Sequence, residues 1–239
     1  MLFRSFPTLP EVLGAYGYDT YAWTNMASAA SFRRGEGLER GFAHFVDGSE
    51  ASILAALRTA KSPYFALLHL KYAHKSYGGG NEDPRLVAWQ NHPFAAPGEA
   101  DPDLVLAQQL QKDPVLAELL KHRYDQALYR DDRAIGTVLR EIELHGDFEN
   151  TVVVIVGDHG ESLGEDVRVG HHQLTPVVTS IPMTIRLPPK YQAVSRLNAD
   201  ASLVDLMPTL LSLAGAVIPP GLDGRDLLPM ILGQQPDKN

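Results

Sequence analysis

The chain has 239 residues, and its 29 acidic residues outnumber its 21 lysines and arginines, so the formal net charge is −8. Binding to nucleic acid requires clustered basic residues, and this acidic, scattered charge pattern argues against such a partner. Cysteine is absent, which excludes disulfides, thiolate metal ligands and a cysteine nucleophile from the chain. No apolar run approaches the roughly 20 residues that a transmembrane helix needs, and the sequence assigns no cellular compartment.

The first third of the chain alternates helices with strands. Thr8 and Glu11 form a capping-box pair before an amphipathic stretch, which predicts a helix that Gly17 can close. A β-prone segment, a short helix and a nearly continuous apolar strand are then predicted at 18–24, 50–60 and 64–70.

The middle of the chain changes in composition. Residues 78–103 are rich in Gly, Pro, Asn and acids, so we expect an irregular insertion of the kind that often lines a site. A long amphipathic helix should follow, with apolar residues recurring from Tyr124 to Ile142 and an end at Gly146. The remaining predicted elements are two apolar strands and a helix that Pro208 should kink, at 151–156, 181–187 and 202–213.

Helices that alternate with apolar strands predict an α/β fold, in which a mostly parallel sheet is sandwiched by helices. Ligands of such sheets bind beyond the carboxyl ends of the strands. The polar residues that directly follow the predicted strands are therefore the candidates for a functional site.

Asp158 and His159 come one residue after the strand at 151–156 and lie between Gly157 and Gly160, which permit a sharp turn. A carboxylate and an imidazole together suit a divalent ion such as zinc or manganese. The alternative is a polar turn in which Asp158 caps the next segment. Glu161 and Glu165 are expected to orient ligand residues or to cap the following turn rather than to bind an ion.

Four other histidines lie near strand ends. His69 and His74 flank the end of the strand at 64–70, and His171 and His172 precede the strand at 181–187. An isolated histidine is more often structural than functional, so position alone leaves the role of each one open.

Several segments resemble motifs of the sulfatase branch of the alkaline-phosphatase superfamily, and they keep the family's order. Asn150 to Glu165, NTVVVIVGDHGESLGE, resembles its metal-binding segment. His69 to Tyr77, HLKYAHKSY, matches a pattern usually written H-x-x-D-P-H-x-P-Y. The other similar segments are 8–20, 37–45 and 202–233. The resemblance covers most of the chain and implies an alkaline-phosphatase-like fold.

The resemblance also implies a function, that of a metal-dependent sulfuric ester hydrolase. One divalent ion, Ca, Mn, Zn or Mg, would be bound by Asp158 and His159. His74 and His171 would be catalytic and would contact the oxyanion of a small-molecule or glycan sulfate or phosphate ester. His69 would support substrate binding, and His172 would replace His171 if the register were shifted by one.

Two of the chain's departures from the family pattern concern sulfate contacts and catalytic groups. Residues 23–28 read Trp-Thr-Asn-Met-Ala-Ser, whereas arylsulfatases often have Gly-Lys-Trp-His-Leu-Gly, so a Lys and a His contact to sulfate are missing. The family's nucleophile and acidic metal ligands should precede residue 8 by roughly a hundred residues. We therefore expect residues 1–239 to be a partial catalytic domain, incomplete at the N-terminus and inactive alone.

Two alternatives stay open. The first is a phosphoethanolamine- or glycerolphosphate-type transferase, or a phosphonate hydrolase, of the same superfamily. The second is a non-catalytic domain that retains the fold for binding.

Overall fold

The computed structural model describes residues 6–24, 39–74, 77, 83–91 and 99–234. Several predicted segments lie partly outside the described residues, at 25–28, 37–38, 75–76, 78–82 and 92–98. The chain divides into two compact units. The first unit comprises Met1–His69, Val138–Val152 and Leu187–Asn239, and the second comprises Leu70–Thr137 and Val153–Arg186.

The helices and strands alternate along the chain. In chain order they are α1 (Leu9–Ala15), β1 (Asp19–Thr24), β2 (His44–Asp47), α2 (Glu50–Thr59), β3 (Tyr64–His69), α3 (Pro84–Asn91), α4 (Pro102–Leu110), α5 (Pro114–His145), β4 (Val153–Val156), α6 (Pro176–Thr179), β5 (Met183–Arg186), α7 (Leu206–Leu213) and α8 (Leu228–Ile231). Among the described residues, no helix combines the length and the apolar character needed to cross a membrane.

The first unit contains a parallel three-stranded sheet with the order β2-β1-β3. The central strand β1 pairs with β3 along its whole length, from Asp19 opposite Tyr64 to Thr24 opposite His69. Five of the six positions of β1 are buried, as expected of a strand with neighbours on both sides. The predicted α/β fold with a parallel sheet is confirmed.

Helix α1 begins with the predicted capping box. The Thr8 backbone N–H donates to the Glu11 carboxylate at 2.8 Å, and the Thr8 hydroxyl accepts from the Glu11 N–H. On the buried side, Leu13 packs with Leu211 of α7 and with Ala216 in one apolar cluster. The local sequence thus sets the start of α1, and apolar burial holds the helix in place.

The predicted kink at Pro208 is wrong. A 3₁₀ turn at Leu203–Asp205 precedes α7, and α7 begins at Leu206. Pro208 consequently lies in the first turn of the helix, where a backbone N–H has no helical partner to lose.

The second unit has its own apolar core, to which α3, α4 and α5 contribute. Its buried side chains include Leu86, Trp89, Leu106, Leu110, Leu116 and Leu120. Helix α3 lies inside the segment predicted to be irregular, so that prediction is wrong for Pro84–Asn91. The reason is that Leu86 and Trp89, three positions apart, bury one helical face despite the polar composition around them.

Strands β4 and β5 also belong to the second unit, and both were predicted from their apolar sequences. They pair antiparallel, with Val153 opposite Arg186 and Val156 opposite Met183. Parallel pairing needs a crossover connection, usually a helix, that returns the chain to the start of the first strand. The connection between them, residues 157–182, contains no long crossover helix, only the four-residue helix α6, and the chain reverses direction across it.

Candidate functional site

The candidate metal residues lie in the loop that follows β4. At Gly160 the loop passes close to α6, where the Gly160 N–H donates to the Val178 carbonyl at 2.6 Å. A Cβ at position 160 would collide with the Val177 carbonyl oxygen, so only glycine fits this approach. This packing fixes the backbone beside His159.

Asp158 and His159 present two ligand atoms on the same side of this loop. The Asp158 side chain is 70% exposed, and its Oδ2 lies 3.7 Å from the His159 Nε2. The His159 Nδ1 lies 2.9 Å from the Gly160 carbonyl oxygen. A carbonyl can only accept, so Nδ1 carries a proton, and in the neutral ring Nε2 keeps its lone pair.

This donor set fits a divalent ion. Ligand atoms about 2.1 Å from a tetrahedral ion lie roughly 3.4 Å apart, and the separation of Asp158 Oδ2 from His159 Nε2 is close to that value. Histidine ligands of metals usually donate their second ring N–H to a carbonyl or carboxylate, as His159 does to Gly160.

His171 lies against His159 through its ring and against Glu161 through a hydrogen bond. The two imidazole rings stack with centroids 4.0 Å apart. The His171 Nδ1 lies 2.8 Å from Oε2 of Glu161, whose side chain is only 4% exposed. This hydrogen bond raises the pKa of His171. Ligand atoms of His159, Glu161 and His171 all lie within 4.8 Å of one another.

Tyr77 is a part of this network that the sequence patterns did not single out for a role. Its hydroxyl donates to Oε1 of Glu161 at 2.7 Å, and burial raises the pKa of Tyr77. Its ring contacts Trp89 and Tyr124, with centroids 5.8 Å and 5.3 Å away. The sequence did contain a signal for Tyr77, because it is the last residue of the nine-residue pattern that begins at His69.

His74 lies at the edge of the same group of rings. Its side chain is exposed, and its ring centroid is 5.4 Å from that of His171. The turn before it is held by Asp131 of α5, which accepts from the Tyr72 N–H at 3.4 Å and the Ala73 N–H at 3.0 Å. Burial raises the pKa of Asp131.

His172 has a different environment from His171. Its Nε2 lies 3.8 Å from Oδ2 of Asp103, which is beyond hydrogen-bond distance. Asp103 is buried, and its other oxygen accepts from the Trp89 indole N–H at 2.7 Å. The His171 and His172 rings are 5.0 Å apart.

Two more polar residues complete the description of this loop region. Lys71 is half-buried, and burial lowers its pKa while the negative charge of Asp158 opposes that shift. Glu165 accepts from the Leu163 N–H at 2.7 Å and so caps a turn, one of the two roles expected for it.

The second unit therefore brings together most of the residues predicted from the sequence. His159 and His171 stack, Asp158 lies beside His159, and His74 lies beside His171. His69 belongs to the first unit, where it is the last residue of β3 and lies opposite Thr24. Its contact with substrate stays a prediction.

Comparisons with known proteins agree with one family. Residues 2–216 match the family model described as Sulfatase. An ulvan-active sulfatase from Formosa agariphila is 30% identical over 181 residues, which cover 66% of this chain and 30% of that protein. The chain thus spans about a third of the length of this curated relative.

Solved structures share the fold. The phosphonate monoester hydrolase of Agrobacterium radiobacter superposes with a TM-score of 0.68 at 15% identity, over 97% of this chain and 63% of that one. A protein in complex with its substrate D-glucosamine-2-N,6-O-disulfate superposes with a TM-score of 0.62 at 19% identity, over 98% of this chain and 66% of that one. Identities this low show a common fold only.

Proposed function

Because the chain belongs to the sulfatase family, we propose that the protein is a hydrolase of sulfate esters whose divalent metal ion is held by Asp158 and His159. The observation that carries the proposal is the pairing of these two residues. The Asp158 Oδ2 and the His159 Nε2 are 3.7 Å apart, and the contact of Nδ1 with the Gly160 carbonyl makes Nε2 the nitrogen that offers a lone pair in the neutral ring.

The chemistry that such an ion supplies is positive charge, which polarises the ester oxygen and stabilises the charge that develops on it. The protein's own contribution is to orient the two ligands on a loop whose backbone packs against α6. Gly160 packs against α6 and holds the His159 ring in the orientation that presents Nε2.

In this proposal the neighbouring imidazoles bind the sulfate group. His171 and His74 contact the oxyanion, and His171 has the more fixed position because Glu161 accepts from its Nδ1. A raised pKa favours the cationic form of His171, which attracts the negative ester. His69 supports substrate binding, and no nucleophile is assigned within this chain.

The substrate class follows from the relatives. One is named for its activity on ulvan, and one solved structure holds a disulfated glucosamine. We propose a sulfated carbohydrate or a similar small sulfate ester as the substrate. The fold is also shared with a phosphonate monoester hydrolase, so phosphate and phosphonate esters are the second candidate.

Hydrolysis assays with the full reading frame that encodes this chain test the proposal. Para-nitrophenyl esters of sulfate, phosphate and phenylphosphonate are compared after treatment with a chelator and after addition of Ca, Mn, Zn or Mg. We expect metal-dependent hydrolysis with the highest kcat/KM for the sulfate ester. A preference for phosphate or phosphonate would favour the second candidate, and the absence of both hydrolysis and metal uptake would indicate a non-catalytic binding domain.

A matched pair of variants tests the site itself. Asp158→Ala should abolish the metal response, whereas Asp125→Asn, which removes an exposed carboxylate from α5, should keep it. Activity that survives Asp158→Ala would contradict the assignment of the metal site.

A further inference from the structure

We propose that Tyr77 and Glu161 form a positioning pair that keeps a proton on Nδ1 of His171, so that Nε2 is the ring nitrogen that meets the substrate. The inference rests on the proposed function, in which His171 contacts the oxyanion. It adds the two residues that hold this histidine and specifies which of its nitrogens takes part.

The hydrogen bonds of Glu161 determine which nitrogen of His171 carries a proton. Its carboxylate is almost completely buried, and among the described residues Oε1 has the Tyr77 hydroxyl as its partner and Oε2 has the His171 Nδ1. A carboxylate can only accept, so both partners must donate. The proton on Nδ1 therefore belongs to the bond with Glu161, whether or not Nε2 carries a second proton.

The surroundings of Tyr77 hold its hydroxyl in place against Glu161. Its side chain is 3% exposed, so its hydroxyl cannot turn to water without leaving the core. Its backbone φ is +39°, a conformation that an aromatic residue rarely adopts and that the surrounding structure must hold in place. By engaging Oε1, Tyr77 prevents the Glu161 carboxylate from rotating away from His171.

The same turn connects this pair to the second candidate catalytic histidine. The Tyr77 N–H donates to the His74 carbonyl at 3.0 Å, and the His74 and His171 rings are neighbours. Tyr77 thus anchors His171 through its side chain and the His74 turn through its backbone.

A competing role for Glu161 is direct metal binding together with His159 and His171, because their ligand atoms lie close together. Each Glu161 oxygen already takes part in one hydrogen bond, and the carboxylate is only 4% exposed, so an incoming ion would have to reach the remaining lone pairs of a buried, hydrogen-bonded group. Asp158, by contrast, is exposed and has its Oδ2 beside the lone pair of His159. The geometry favours Asp158 as the ligand and Glu161 as the positioning residue.

Long-range proton–nitrogen NMR spectra of the metal-free, nitrogen-15-labelled full chain test the inference, with the His171 signals assigned from the His171→Gln variant. We expect a protonated Nδ1 whose proton exchanges slowly because it is hydrogen-bonded and shielded. An unprotonated Nδ1 in the wild-type chain would overturn the proposal, and this result needs no variant.

Variants sharpen the test. In Glu161→Leu the slowly exchanging Nδ1 proton should be lost, whereas Glu161→Gln should keep it, because the amide oxygen can still accept. Tyr77→Phe should keep the bond but make the proton exchange faster. Glu165→Gln, which changes an acid that caps a separate turn, is the control and should leave the His171 signals unchanged. Unchanged His171 signals in Glu161→Leu would contradict the positioning pair.

The outcome is independent of the test of the proposed function. If the wild-type protein hydrolyses no ester, the proposed function fails and the NMR result on Nδ1 still stands. If hydrolysis is observed and Nδ1 is unprotonated, the positioning pair fails alone.

Discussion

Both units have an apolar core, but the first unit and the candidate site of the second unit depend on different kinds of interaction. In the first unit, a parallel backbone ladder and buried apolar side chains such as Leu13 and Leu211 hold the sheet and its helices. In the second unit, the candidate site depends on hydrogen bonds to a buried carboxylate, Glu161. We therefore expect substitutions in the core of the first unit to change the stability of the fold, and substitutions around the site to change metal binding and hydrolysis.

The same contrast exists inside the site between its two key acids. Asp158 is exposed and lies at the end of β4, where an incoming ion can reach it. Glu161 is buried, and both of its oxygens are engaged. An exposed acid with an available oxygen suits metal binding, and a buried acid that already accepts two hydrogen bonds suits the orientation of a neighbour.

The largest effect is expected for Asp158→Ala. An ion held in this way supplies several kcal/mol of charge stabilisation, so its loss should lower kcat/KM by about 10³-fold. The melting temperature should change little, because the Asp158 side chain is exposed. Steady-state kinetics and thermal unfolding measure both quantities. A variant that unfolds at a much lower temperature would show that the contrast between the units is wrong.

Leu211→Ala tests whether apolar burial stabilises the first unit. Leu211 is completely buried in the cluster with Leu13, so its truncation should lower the free energy of unfolding by about 2–5 kcal/mol. Metal affinity should be retained wherever the variant is folded. Urea unfolding and metal titration check the two expectations. Val217→Ala, at a residue that is 72% exposed, is the control and should change stability by less than about 0.5 kcal/mol.

Tyr77→Phe should have a smaller effect on the chemistry. Loss of residues that orient catalytic or ligand side chains typically reduces activity by about 10–100-fold, and Tyr77 acts through Glu161, so we expect the lower end of that range. The loss should appear in kcat more than in KM. Tyr129→Phe, at an exposed position of α5, should match the wild type in the same assay. Equal kcat values for the two variants would contradict the positioning role of Tyr77.

The smallest expected effect is on the pH dependence of stability, through Glu11 in the first unit. Hydrogen bonds from the Thr8 backbone and from Arg40 lower the pKa of Glu11 from its usual 4.5. A lowered folded-state pKa stabilises the fold above the unfolded value, and this contribution is lost as the pH falls through the folded-state pKa. The stability advantage of wild type over Glu11→Gln should therefore shrink between about pH 6 and about pH 3. An advantage that does not depend on pH would contradict this assignment.

The sequence predicts the parts of the structure that depend on local patterns. The capping box at Thr8 and Glu11 and the strands around Trp23 and Leu67 follow from spacing and apolar runs, and the structure has them. Helix α3 was missed because two buried residues, Leu86 and Trp89, outweigh a composition typical of loops.

The site was predicted only in part for a related reason. Asp158 and His159 are adjacent in sequence and follow a strand, so their pattern is visible. The bond between Tyr77 and Glu161 joins residues 84 positions apart, and no local spacing encodes it. Such contacts depend on how the chain folds back, as does the antiparallel pairing of β4 with β5.

The most direct test of the account is anomalous X-ray scattering from crystals of the protein loaded with Mn or Zn. We predict a single anomalous peak at about 2.1 Å from the Asp158 carboxylate and from the His159 Nε2, with Glu161 still bonded to Tyr77 and His171. A peak ligated by Glu161 and His171, or no peak at Asp158, would contradict the account.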